Sequence, residues 1–412
     1  MTSTLQAGLA LLCRPGLRIF PLLLMLILVT GCAGRLNKAT ELFYADQPEA
    51  SLEKLEAGDW FGKRNELLFL MERGVVLHQL GRYRESVAIL RQAADLVSEF
   101  EQLSISDQLG SLVTTDWLLR YKGEYSERLW VHSYLMMNFL LLGEYDSAFV
   151  EARQALELYG RYPDALKSDF FTRSLIALCF ANVGEDNDAY LVYRRLVEDL
   201  PNPAPVAADL VAISSRLGQI DEVEHFQPYL PGSLPVGDGE LVLFVANGRI
   251  PEKQPGNVVV PPSIRFSFPR YDDIRTSAVR VATVPNYPTL PPLSSDLGEV
   301  ARQSLDERKL AIIVKETARV AAKETISQKV GNEHGQAAEA VVRISLFLLE
   351  EPDTRSWQTL PGRLTLVRVP LPAGKHNLRI RLSGAGAFGS SEIALPGFQL
   401  REGQKVFYSL RF

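Results

Sequence analysis

Four times between Leu77 and Leu230 the chain repeats one phrase: "LHQLGRYRESVAILRQAADL", "NFLLLGEYDSAFVEARQALEL", "CFANVGEDNDAYLVYRRLVEDL" and "AISSRLGQIDEVEHFQPYL". Each is an apolar segment, a glycine, a polar residue, then a second amphipathic segment carrying small residues. The glycines are Gly81, Gly143, Gly184 and Gly218. A glycine there lets the backbone take the positive φ that a tight turn between antiparallel helices needs. Small residues on the second helix (Ser86, Ala93, Ala148, Ala155, Ala189) allow close approach, and Pro201 stops a helix where one repeat should close. The pattern constrains the amino-terminal half to a stack of helical hairpins.

The spacing from Gly184 to Gly218 is 34 residues, the period of tetratricopeptide repeats, and the phrase resembles that family over roughly residues 35–230. Gly143 to Gly184, at 41 residues, accommodates a loop insertion. "DQPEASLEKLEAG" supplies the second helix of an opening cap. Gly81 to Gly143 is 62 residues, too long for one repeat. Its excess contains "YKGEYSERLWVHSY", where Tyr121, Glu124, Tyr125, Glu127, Arg128, Trp130 and Tyr134 crowd together. Two readings stand: an extra helix whose aromatics plug the stack, or a recognition patch on its concave face, because Tyr, Trp and Arg suit binding hot spots.

At the start of the chain, Arg14 and Arg18 precede the apolar run "IFPLLLMLILV", and no acidic residue occurs before Glu41. A cationic start, a short apolar block and small residues describe an export signal. The run is about half of the ~20 residues needed to cross a bilayer. "Val29-Thr30-Gly31-Cys32" resembles the lipobox of bacterial lipoproteins. That resemblance implies a thiol acylated at Cys32, cleavage before it, and several acyl chains that together anchor firmly. Ala33 and Gly34 follow where lipoproteins retained in the inner membrane carry Asp, which implies transfer to the outer membrane, facing the periplasm. The plainer alternative is a secretory signal with an incidental cysteine.

Charge bears on the partner. The full sequence carries a net −5, and loss of Arg14 and Arg18 with a leader makes it two units more negative. A mildly acidic chain is not expected to take nucleic acid as its main partner. Of the three cysteines, Cys13 leaves with the leader, Cys32 is acylated and Cys179 sits in "LIALCFANV" as a small core hydrophobe. No intrachain disulfide is expected, so packing alone must stabilise the fold.

"PYLPGSLPVGDGE" breaks the helical pattern. Beyond it come strand-like runs: "ELVLFVANG", "NVVVPPSIRFSFP", "AVRVATVP", "RLTLVRVPL", "HNLRIRLSG", "SEIALPGFQL" and "KVFYSLRF". Alternation in "HNLRIRLSG" puts Leu378, Ile380 and Leu382 on one face and Arg379 and Arg381 on the other. The spacing predicts a β-sandwich. Between about 296 and 350 an insertion reads as two helices. The first, "DERKLAIIVKETARVAAKETISQKV", lines Leu310, Ile313, Val314, Ala318, Ala321, Ala322, Ile326 and Val330 along one apolar face. "QAAEAVVRISLFLL" makes the second. A helical hairpin docked on the sandwich is one reading; a partner-binding or membrane-touching hairpin is the other. In "DTRSWQTLP", Asp353 is placed to cap a turn, with Arg355 and Trp357 as a structural corner or a ligand anchor.

The fold class expected is α+β: an all-α tetratricopeptide-like domain, then a β-sandwich-like domain carrying a helical hairpin insertion. The boundaries are 1–31 for the leader, 32–230 for the repeats and 231–412 for the sandwich.

Glu127-Arg128, Val150-Glu151-Ala152-Arg153 and Asp353-Thr354-Arg355-Ser356-Trp357 resemble a family of bacterial repeat-containing outer-membrane lipoproteins. Its members are often encoded beside lipoproteins that activate penicillin-binding proteins. The resemblance implies a cell-wall setting. Candidate partner-binding residues are Tyr121, Tyr125, Glu127, Arg128, Trp130, Glu151, Arg153, Arg355 and Trp357. Chemistry is sparse. "GAGAFG" (Gly384, Gly386, Gly389) is followed by a strand pattern, where a dinucleotide fold needs a helix. "SLEK" lacks the companion motifs of penicillin-binding enzymes. The five histidines show no zinc spacing. The expectation is a non-enzymatic scaffold without cofactor or metal, tethered to the membrane through Cys32 and binding an envelope protein through its tetratricopeptide-like repeats. A module binding cell-wall glycan is the alternative.

Overall fold

The structure is a computed structural model describing residues 36–57, 62–103, 120–231, 238–260, 264–272, 280–348, 351–384 and 391–412. The leader, Cys32, and Gly386 and Gly389 of "GAGAFG" lie outside the described residues. Two compact units divide at Lys63 and Arg64.

In the first unit, α1 (residues 36–44) and α2 (Pro48–Glu56) form a helical hairpin. Ser51, fully buried, donates from Oγ to the Ala39 carbonyl at 2.7 Å.

The second unit begins within α3 (Gly62–Gln79), which pairs with α4 (Tyr83–Leu103). There Ser86 Oγ donates to the Gly74 carbonyl at 2.7 Å, across the same twelve-residue span as Ser51 to Ala39. Further pairs are α5 (Tyr125–Leu142) with α6 (Tyr145–Arg161), α8 (Phe170–Asn182) with α9 (Asp186–Asp199), and α10 (Ala204–Arg216) with α11 (Ile220–Phe226). The short α7 (Pro163–Leu166) joins α6 to α8. Met136–Ala148 and Ala177–Ala189 repeat the twelve-residue span at fully buried positions. Gly81, Gly143, Gly184 and Gly218 have φ of 71°, 74°, 84° and 72°. A Cβ at any of them would meet nothing within 4 Å, so conformation, not space, requires glycine. After each, the next amide caps the helix: Glu144 N donates to Phe139 O at 2.8 Å and Glu185 N to Phe180 O at 3.1 Å. These are the helix-end bonds of a Schellman turn. The helices are tetratricopeptide-like repeats.

The inner helices differ from the outer ones. In α5 every residue from Ser126 to Leu140 is buried, and in α8 every residue from Phe171 to Phe180. In α6 only Ala148, Glu151, Ala152, Ala155 and Leu158 are. A helix apolar all round is buried all round. One side of α5 and α8 packs on the outer helices, and the other is covered by the β layer.

Among the described residues that layer holds eleven strands: β1 (Gly239–Asn247), β2 (Lys253–Val260), β3 (Ile264–Tyr271), β4 (Arg280–Thr283), β5 (Leu293–Asp296), β6 (Arg363–Leu371), β7 (Gly374–His376), β8 (Arg379–Gly384), β9 (Ser391–Ala394), β10 (Phe398–Leu400) and β11 (Lys405–Arg411). A four-stranded sheet runs β11-β1-β6-β5 and a three-stranded one β4-β8-β9; β2–β3 and β7–β10 are separate two-stranded sheets. Leu241, Leu243, Val245, Val367 and Val369 meet Ala282, Ile380, Leu382 and Leu395 in a common core. Leu378, Ile380 and Leu382 point inward as expected, while Arg381 faces out to Glu392 at 2.9 Å. The other face of the larger sheet meets the helices, with the Phe244 ring 6.2 Å from that of Phe171. Eight of the nine β1 residues are buried, as expected of a strand covered on both faces. The arrangement is α+β: a sandwich-like pair of sheets roofed by the repeat helices.

The insertion is the expected hairpin. Asp296 Oδ1 accepts from Glu299 N at 3.1 Å and starts α12 (Leu297–His334), which turns at Gly335 into α13 (Gln336–Leu348).

Candidate functional site: a sealed inner face and an exposed hairpin

Each inner helix presents a carboxylate to the β layer. On α3, Glu72 accepts from Gln358 N at 2.7 Å and Thr359 N at 3.0 Å. At the start of α5, Glu127 accepts from Trp357 N at 2.7 Å, Glu124 N at 2.8 Å and the Tyr121 hydroxyl. Glu124 bonds Lys253 Nζ of β2 at 2.6 Å and Arg308 of α12. Asp169, before α8, accepts from Trp130 Nε1 and from Ser295 Oγ of β5, each at 2.8 Å. Asp209 of α10 bonds Arg368 of β6, whose Nε also donates to Glu240 at 2.6 Å. At the end of α3, His78 contacts Ser409 Oγ of β11 at 2.8 Å and Asn138 of α5 at 2.6 Å.

Residues 351–359 have no regular secondary structure. They form a strap whose three successive amides, 357–359, end on Glu127 and Glu72. Asp353 caps a turn as expected, accepting from Arg355 N at 3.1 Å and Nε at 2.8 Å. Arg355 reaches Asn65 at 2.7 Å, and Lys253 Nζ donates to its carbonyl at 2.9 Å. Trp357 is fully buried, its ring 5.7 Å from that of Tyr134.

Burial and charge set the acidities. Burial would raise the Glu124 carboxyl, but Arg308 and Lys253 outweigh it and bring it down to about 2. Glu72 has no cation among the groups that shift it, so burial pushes it up to about 7. Burial likewise raises Glu127 above its usual range. At His78 burial lowers the imidazole to about 4, leaving it neutral at pH 7.

The structure thus gathers Tyr121, Glu127, Arg355 and Trp357 between the repeats and their cover, and holds Tyr125, Arg128 and Trp130 against neighbouring repeat residues. The sequence leaves two readings there, aromatics that plug the stack or a patch on its concave face. Tyr121, Glu127, Arg128, Trp130 and Trp357 are buried, and Tyr125 stacks on Tyr162 at 3.8 Å. Arg128 holds Glu101 of α4. Glu151 is buried against His132 Nδ1 at 2.8 Å, within the α5–α6 pair, and Arg153 is exposed on α6. The physical reason is that apolar residues lie on every side of α5 and α8, with their buried polar groups such as Glu127, Arg128, His132, Asn138 and Arg173 paired inside, so the helices need a second cover. Glu72, Lys253 and Arg308 escaped the sequence reading. Glu72 was the most visible of them, a lone acid inside "LLFLMERGVV".

The opposite arrangement holds at the hairpin. The first turns of α12 are anchored by buried Leu297, Val300, Ala301 and Leu305. Further along, charges fill the seam: Arg343 of α13 donates to Glu324 at 2.6 Å and to Glu339 at 2.9 Å. The apolar residues look outward, with Val314 62%, Val341 64% and Ile344 60% exposed, beside exposed Ala337 and Ala340. Over residues 337–344, α13 turns Glu339 and Arg343, with Ala338 and Val342, to its less exposed side and Ala337, Ala340, Val341 and Ile344 toward solvent.

Among the described residues no cluster of three His, Cys, Asp or Glu could hold a metal ion. None of their helices is long and apolar enough to cross a membrane.

No family model matches the sequence, and no curated protein matches it. Among solved structures, the chain is similar to MamA from Desulfovibrio magneticus RS-1, with 14% identity, 47% of this chain and 87% of that one covered, and a TM-score of 0.31. It is likewise similar to YrrB, described as a TPR protein with an unusual peptide-binding site, with 15% identity, coverage of 47% and 85%, and a TM-score of 0.32. At such values the likeness adds nothing to the helix-pair geometry above, on which the repeat assignment rests.

Proposed function

We propose that this chain is a lipid-anchored envelope scaffold that engages a protein partner through the α12–α13 hairpin. The observation that carries the reading is the outward aliphatic stripe Ala337, Ala340, Val341, Ile344 on α13. Contiguous exposed apolar surface marks an interaction site. Its small and β-branched residues fit another helix. A lipid-surface helix carries Trp and several Lys on its flanks, whereas α13 has neither and only Glu339 and Arg343 as charges. The anchor and the outer-membrane, periplasm-facing location rest on the lipobox sequence alone, and the cell-wall setting on the family resemblance. The glycan alternative loses its main support, because the buried Trp357 ring is not available to stack on a sugar.

The test is affinity capture from native envelopes with the full chain. Val341→Glu with Ile344→Glu is expected to abolish recovery of a defined partner, while Val150→Glu on the outer surface of α6 leaves it intact. Capture unchanged by the hairpin pair would overturn the hairpin reading. Mass spectrometry of the processed protein tests the anchor: an unmodified Cys32 would refute it.

A further inference from the structure

Among the described residues the larger sheet ends at β11, whose strand partner is β1. The pairing is parallel, and its hydrogen bonds fall on even-numbered residues: Phe412 N donates to Ala246 O at 3.0 Å, Gly248 N to Phe412 O at 3.1 Å, and Glu240 N to Gln404 O at 3.0 Å. Parallel geometry turns both backbone groups of the intervening residues to the other side. Tyr145 of α6 confirms the direction, its hydroxyl donating to the Lys405 carbonyl from the outside at 3.3 Å. Next along the edge come Phe407 and Ser409, which present two N–H and two C=O groups with no strand beside them among the described residues. The Ser409 side chain is engaged by His78, which leaves its backbone on the edge.

The sandwich core is also unfinished there. Val406, Tyr408, Leu410 and Phe412 share one face of β11, pack on that core, and remain half-buried. An edge with unpaired backbone groups beside a partly covered apolar row is a template for one more strand.

We propose that β11 accepts an extended segment of a protein partner as an added strand. The segment would carry apolar residues at alternate positions, to cover the row, and acidic residues near its ends. Lys405 and Arg411 near the two ends of the strand call for those acidic residues; a second copy centred antiparallel on Tyr408 would instead set Lys405 opposite the copy's Arg411, and like charges directly opposite destabilise a pair. This surface is independent of the hairpin, and its test does not depend on that reading.

The probe is an acetylated seven-residue peptide with valine at alternate positions and glutamate at both ends, titrated against the full chain by calorimetry. Wild type and Ser409→Ala, which keeps the edge N–H and loses only the His78 contact, are expected to bind alike. Ser409→Pro removes the edge donor and spares the β1 ladder; it is expected to bind at least tenfold more weakly. The same peptide N-methylated on its ladder-facing amides is expected to lose at least tenfold against wild type, a comparison that needs no variant to fold. Absence of binding to wild type, or equal binding of the N-methylated peptide, would overturn the proposal. So would equal binding by Ser409→Pro, or sedimentation showing that two copies associate through this edge.

Discussion

Removing Glu124 strands a charge. Its carboxylate lies 2.6 Å from Lys253 Nζ, whose side chain is 1% exposed, so the ammonium has no route to water. Breaking a buried pair from one side costs about 3–5 kcal/mol, whereas replacing both partners by apolar groups of similar volume is close to neutral. Glu124→Leu and Lys253→Met are each expected to lower stability by about that amount. The double variant is expected to fall short of the sum by about 5–9 kcal/mol. It still loses the Lys253 bond to the Arg355 carbonyl, worth about 1 kcal/mol. Arg308, a third exposed, can turn to solvent. Urea unfolding of the four proteins at pH 7 closes the cycle. Additivity within about 0.5 kcal/mol would mean that the two residues do not share a buried site, and the sealed junction would be wrong.

The two acids give opposite pH signatures. Glu124, depressed to about 2, contributes stability present above pH 4.5 that is lost as pH falls through 2. Glu72, raised to about 7, contributes stability present below pH 4.5 that is lost as pH rises through 7, a change of about 3 kcal/mol. Glu72→Gln is therefore expected to flatten the stability profile between pH 5 and 7, and an unchanged slope there in urea titrations would exclude the assignment. Gly143→Ala is expected to cost about 1–2 kcal/mol from its left-handed backbone alone, with calorimetry showing no rescue by truncating neighbours. Gly74→Ala is different: its Cβ would sit 2.4 Å from Leu90 Cδ2, so Leu90→Ala in the same chain should recover part of the loss. Trp357→Ala is expected to destabilise by about 3–5 kcal/mol, and a neutral outcome would place its ring at the surface.

The repeat geometry was legible because it is local. A glycine with positive φ and a small residue twelve positions from its partner are fixed by neighbours along the chain. The strand faces were legible for the same reason, as at Leu378, Ile380 and Leu382. What covers the inner helices was not, since Glu72 and Thr359 are 287 residues apart, and no periodicity links them. The crowded aromatics around Tyr125 and Trp130 left plugging and recognition both open; in the fold Tyr125 stacks on Tyr162 and Trp130 donates to Asp169, so both rings are spent inside the chain. One clue was present: apolar residues occur on every side of α5 and α8, leaving no continuous polar face of the kind that an open groove would need. At the hairpin, the apolar periodicity was visible but not its direction. Only the Arg343–Glu324 pair shows that the charges turn inward and leave Val341 and Ile344 outside.

The central claim is that this chain's own β layer and hairpin base seal the inner face of its repeats. Ser126, at the start of α5, and Ser304, on α12, are both fully buried, with the Ser126 amide donating to Ser304 Oγ at 3.2 Å. The most direct measurement is alkylation of a Ser126→Cys, Ser304→Cys pair in the native full chain, with and without mild oxidant. Both thiols should resist iodoacetamide and join as a disulfide on oxidation. Rapid alkylation of both in the folded protein, with no cross-link, would show an open groove and contradict the account.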